Sequence, residues 1–160
     1  MSSGTFVLSL AAALGCGLAA GVFFAFSTFV VPALGRLPAP QGIAAMQSIN
    51  VAAINPWFMT ALFGTAGACV ATMVAALADW GESYAPYLLV AGVLYLIGAI
   101  GVTIAYHVPR NEELAKLEPT SAGAADHWTR YLAGWTTWNH ARAAAALVAC
   151  GLQIGAIRAA

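Results

Sequence analysis

The sequence predicts an all-α integral membrane protein: a four-helix bundle forming a single transmembrane domain over residues 1–160. Three observations predict it. Hydrophobic residues make up 61% of the chain and charged residues only 8%, whereas soluble domains carry roughly a quarter charged residues. The mean hydropathy is +0.81. The first charged side chain is Arg36, and two further charge-free runs follow it.

Span one covers about residues 5–31, longer than the roughly 20 apolar residues a bilayer crossing needs. It lacks a basic leader, and its apolar run exceeds the roughly 7–15 residues of a secretory signal core, so it reads as a retained span. The following segment, PAPQGIAAMQSINVAAINP, mixes Ile43, Met46, Ile49 and Val51 with Gln47, Ser48 and Asn50. That pattern predicts an amphipathic helical segment that lies at the interface or extends span two.

Spans two and three cover about residues 56–78 and 86–106. Pro109 is expected to end or kink the third helix, because it removes a backbone donor. Beyond it, NEELAKLEP forms a short helical piece and TSAGAAD a linker, together a polar connection between spans three and four.

Span four is the informative one. The uncharged stretch from Ala143 to Ile157 is too short to cross, so the span must start near Trp138 and run over about residues 138–157. Asn139, His140 and Arg142 are thereby drawn about one turn inside the membrane boundary. Arg158 can snorkel at the far end.

The loops after spans one and three carry Arg36, Arg110, Lys116 and Arg130, whereas the DWGES turn holds only acids. The excess of basic residues predicts that those two loops are cytoplasmic in a multi-pass protein. Formal net charge is zero and no phosphate-binding loop occurs, so nucleic acid and nucleotide partners have no support. Cys16, Cys69 and Cys150 lie within spans and read as small buried hydrophobes. Gly17 and Gly21 form a GxxxG pair, with similar small surfaces at Gly64, Gly67, Gly98 and Gly101. Tight helix packing and homo-oligomerisation are both open to such surfaces.

Arg36, Asn55, Thr103, His107, Asn111, Asn139, His140 and Arg142 all fall at one end of the predicted bundle. Thr103, His107 and Asn111 share a helical face by their spacing. On the fourth helix Trp128, Tyr131, Trp135, Trp138 and Arg142 form a stripe with Asn139 beside it. His140 lies about 140° around the helix from Trp135, so it cannot share the centre of that stripe. Arg142 needs a partner inside the bilayer. Either Glu112 or Glu113 clamps it, or it binds an anionic substrate.

The elements GVFFAFSTFVVPAL, AAMQSIN before INPWF, GVTIAYHVPRNEEL and WTTWNHARAAAAL resemble the anthrone oxygenase-like family of small four-helix membrane proteins. The likeness runs in order from about Gly21 to Leu147. It implies a membrane oxidoreductase that uses dioxygen on a lipophilic phenolic or anthrone-type small molecule entering from the lipid bilayer. Asn55, Pro56, Asn111, Trp135, Trp138, Asn139, His140 and Arg142 fit the family's motif positions.

On that reading His140 is the expected base and His107 its backup, since imidazole titrates near neutral pH. Asn139 and Arg142 complete the catalytic set by stabilising an enolate oxygen. Asn55, Asn111, Trp135 and Trp138 are the expected substrate-binding residues. The cofactor is none or a metal, with His107 and His140 as candidate ligands to copper, iron or a haem. The competing class is a non-enzymatic membrane bundle that binds a small molecule or lipid, or assists assembly.

Overall fold

The computed structural model describes all 160 residues, and it is helical throughout without a strand. Four helices are long and apolar enough to cross a bilayer: α1 (Ser3–Leu34), α3 (Pro56–Ala78), α4 (Ala85–Ala115) and α5 (Ala124–Ala159). A fifth, α2 (Ala39–Ala52), sits between the first two spans. The protein is an all-α membrane helical bundle, in agreement with the hydropathy.

Helix boundaries follow local chemistry. Ser2 caps α1 by accepting from the Thr5 amide, and Pro56 occupies the first turn of α3, where its missing N–H costs nothing. α2 is a separate helix and does not extend span two. The break between them is made by Asn55, whose Oδ1 accepts from the Phe58 amide and whose Nδ2 donates to the Ala52 carbonyl. At the opposite end the Tyr84 hydroxyl donates to Asp79, closing the turn between α3 and α4.

Of the two outcomes expected at Pro109, an end or a kink, the end is excluded. The proline does not end the helix, and the NEEL segment, helical as expected, continues the same helix to Ala115. A π-helical stretch, Thr103–His107, lies immediately before the proline. Its wider turn shifts the ladder to i→i−5 bonds ahead of Pro109, and the helix continues through the ring. Further π stretches occupy Leu94–Gly101 in α4 and Phe26–Val30 in α1.

The chain buries three apolar clusters. Cys16, Leu62, Tyr95, Ala99, Ala146 and Ala149 centre the bundle, where α1 packs mainly on α5 and α3. The Cys16 and Cys69 thiols lie in that core 3.8 Å apart. Ala76, Tyr84, Leu88 and Ala156 close one end. At the other end α2 lays Ile43 and Met46 on Trp128, Tyr131 and Trp135 of α5. Gln47 fastens this layer by donating to the Leu114 and Leu117 carbonyls at the terminus of α4.

Close helix approach falls on glycines other than the GxxxG pair. A Cβ on Gly21 would meet nothing and one on Gly17 only an ordinary contact with Cys150, whereas Gly15, Gly92 and Gly98 abut Thr65, Met73 and Ala145. The α1 pair therefore does not make the tight packing inside this bundle.

Candidate functional site

Where the bundle core meets the α2 layer, the packing leaves a cavity of about 630 Å³. That lies within the roughly 300–1,000 Å³ range of small-molecule pockets. Its wall is mostly apolar: Val22, Phe23 and Phe26 from α1, Met46 and Ile49 from α2, Phe58, Met59 and Leu62 from α3, and Trp135 from α5. Thr103, His107, Asn111 and Glu112 of α4, Asn50 of α2, and Asn139 and Arg142 of α5 supply the polar groups. Strongly exposed Val51 and Ile54 belong to the same wall, so the cavity is bordered by apolar surface facing outward.

Arg142 is 6% exposed. Its Nη1 donates to Thr103 Oγ1 at 3.0 Å and an Nη2 to Asn139 Oδ1 at 2.5 Å. The guanidinium lies 4.3 Å from the Phe23 ring centroid and 5.5 Å from that of Trp135. No carboxylate reaches it: the ion pair present is Arg110 with Glu113, three residues apart on α4. The expected clamp of Arg142 by Glu112 or Glu113 is therefore absent. Glu113 is taken by its local neighbour, and Glu112 lines the cavity without closing to an ion pair.

Asn139 is fully buried and works as a positioner. Its Nδ2 donates to the Phe23 carbonyl and to Ser27 Oγ, both at 2.6 Å, while its Oδ1 holds Arg142. The Phe23 carbonyl and Ser27 sit where α1 enters its π stretch, so the local change of ladder and this polar tie coincide. Three donors in wall residues, Arg142 Nε, Trp135 Nε1 and Asn50 Nδ2, are buried without an acceptor.

His107 is 2% exposed and lies edge-on to Trp135, with ring centroids 5.0 Å apart. Its Nε2 is 3.3 Å from the Trp135 carbonyl and its Nδ1 3.5 Å from that of Val102. A neutral imidazole has one N–H. Donating it across the shorter contact leaves Nδ1 as the lone-pair nitrogen.

A family model described as anthrone oxygenase matches residues 56–152. The chain belongs to the anthrone oxygenase family. The family match takes in α3, α4 and most of α5, and so His107, Asn111, Trp135, Asn139 and Arg142. Phe23, Ser27 and the α2 residues precede it. No curated protein and no solved structure matches the chain.

Of the expected site residues, the structure brings His107, Asn111, Trp135, Asn139, Arg142 and Asn55 to one cavity and leaves His140 and Trp138 outside it. His140 is exposed and Trp138 is 45% exposed; neither lines the wall. The reason is the helical angle: with Trp135, Asn139 and Arg142 inward, position 140 points away. Trp138 instead packs beside Tyr106, 5.3 Å between centroids. Asn55 reaches the wall with both ends of its amide spent on the break between α2 and α3.

Asn111 accepts from the Tyr131 hydroxyl at 2.8 Å through Oδ1, which leaves its amide nitrogen for a ligand. Met46 and Asn50 were not assigned to a site from the sequence. The amphipathic pattern of α2 was the available signal for both. The proposed histidine pair for a metal does not form, because His107 is inside and His140 outside. Nor does any other group of three His, Cys, Asp or Glu side chains converge. These residues do not fit a copper, iron or haem site built on both histidines.

Proposed function

We propose that the protein is a membrane-embedded oxygenase that converts a flat, lipophilic anthrone-type phenol to the corresponding quinone with dioxygen. One observation carries this reading: Arg142 is a buried cation in the cavity wall with no counter-ion. Burying it costs roughly 2.5–3.5 kcal/mol even on the lenient insertion scale. A substrate that becomes an oxyanion inside the cavity recovers that cost only when it reacts, which is the differential stabilisation catalysis requires.

His107 Nδ1 takes a proton from the acidic ring methylene, the ring swinging off the Val102 carbonyl to do so. The negative charge spreads to the carbonyl oxygen, which faces Arg142 and the free amide of Asn111. Dioxygen adds to the electron-rich carbon, and the imidazolium returns its proton to the new peroxide. His107 then removes the second hydrogen from the same carbon. The O–O bond breaks, the carbon–oxygen double bond forms, and the departing hydroxide takes the proton as water. The balance is one anthrone plus one dioxygen giving one anthraquinone plus one water, with all four electrons coming from the carbon.

Phe23, Phe26 and Trp135 form aromatic walls for the rings. We place the two long polar connections on the cytoplasmic side, which follows from their basic residues. The test is oxygen uptake by the detergent-purified protein with a simple anthrone. One dioxygen consumed per quinone formed, above the buffer rate, supports the proposal. Tight binding of the anthrone without oxygen uptake would leave a binder in its place.

A further inference from the structure

We propose that a second cavity, formed between α4 and α5, holds the phosphate group of an anionic phospholipid. It measures about 230 Å³ and is lined by Tyr106, Arg110 and Glu113 of α4 with His127, Arg130 and Tyr131 of α5. It shares no residue with the wall of the first cavity. The volume far exceeds the ~30 Å³ of a water molecule, and no aliphatic side chain contributes.

Its charge is unbalanced. Arg110 is paired with Glu113 at 2.7 Å and Arg130 has no ion pair, so the cavity carries one net positive charge before His127 is counted. Arg110, held over the Tyr106 ring at 5.7 Å, and Arg130 stand on opposite helices across the cavity. A phosphate between them would accept charge-assisted hydrogen bonds from two forks, the geometry arginine suits best.

Position separates a lipid from a soluble phosphate. On α4 the cavity residues begin at Tyr106, where the apolar run ends, and on α5 they precede the apolar run that starts near Trp138, the expected level of the headgroups. Tyr106 forms part of its wall and packs against half-exposed Trp138, a residue type enriched at that level. A headgroup seated in the cavity therefore has an aromatic surface beside it for the start of its acyl chain. Basic pockets between transmembrane helices take anionic headgroups in this way.

The experiment is native mass spectrometry of the purified full-length protein, titrated with short-chain phosphatidylglycerol, with phosphatidylcholine of the same chains, and with glycerol phosphate or inorganic phosphate as competitors. Phosphatidylglycerol should bind at a single saturable site at least tenfold more tightly than phosphatidylcholine. Arg130→Gln should weaken it about tenfold, Arg110→Gln at least as much because it leaves the Glu113 carboxylate unpaired beside the phosphate, and Trp138→Ala should weaken the lipid. Arg130 is exposed and unpaired, so that variant retains the fold, and circular dichroism checks this. Equal binding of both lipids, or unchanged binding by R130Q, overturns the site. Competition by glycerol phosphate or inorganic phosphate at equal concentration overturns the lipid as its occupant. Binding is read without turnover, so the result is independent of the oxygenase proposal.

Discussion

Arg142→Met removes the charge while keeping a stem of similar reach between Phe23 and Trp135. Two terms decide its stability. Loss of the cation relieves roughly 2.5–3.5 kcal/mol of membrane burial. Against this, Asn139 Oδ1 loses its partner, about 1–3 kcal/mol for a buried acceptor; Thr103 Oγ1 keeps its bond to the Ala99 carbonyl. The terms nearly cancel, so the variant should unfold within a few degrees of the parent. Turnover should behave differently, since removing one oxyanion donor costs on the order of 10²–10³ in kcat. KM should barely move, because the charge develops after binding. The assay follows oxygen uptake and quinone absorbance in detergent, beside thermal denaturation. A variant within about threefold of parental kcat would refute the role of Arg142. So would a large loss of stability with unchanged activity per folded molecule, the signature of a purely structural arginine. Arg142→Lys should fall between, retaining charge without the fork.

His107→Ala should lower kcat by about 10²–10⁴, the usual contribution of a positioned base, whereas His140→Ala on the exposed face should stay within about twofold; the reverse order in the same oxygen-uptake assay would restore His140 as the base. Asn55→Ala should cost about 0.5–2 kcal/mol in mixed-micelle unfolding, the worth of a helix cap, with kcat per folded molecule little changed. Gly42→Ala should destabilise by about 1–3 kcal/mol, because its Cβ would stand 2.9 Å from the Leu34 carbonyl oxygen and 3.0 Å from the Trp128 ring. Parental stability in that variant would mean that α2 is not seated tightly on α5.

Spans, the gathering of polar side chains at one end and the inward placement of Arg142 were legible because each follows from a length or a period. The last uncharged run is too short by itself, which drew Arg142 into the expected span, and three-to-four spacing put Asn139 on the same side. His140 was misplaced although its angle was legible: the WNHxR motif drew it into the site, and the helical phase put it outside. The Arg142 partner was misjudged because hydropathy says nothing of which charges meet, and Glu113 finds Arg110 one turn away before it can reach another helix. Pro109 misled for a related reason. The proline rule assumes a regular α ladder, and the ladder here changes before the ring arrives.

That change of ladder has a consequence for how variants should be sampled. Thr103–His107 and Phe26–Val30 each carry the surplus residue of a wide turn. Deleting a single residue within the first only removes that surplus and restores a regular helix in its present phase, whereas deleting one from the regular turn that follows swings everything beyond it by about 100°, carrying Asn111 and Glu112 off the wall. Hydropathy, span length and net charge would hardly alter, and the bundle could still insert. Indel scanning across these two turns therefore probes the chemistry at a point that point substitutions leave untouched.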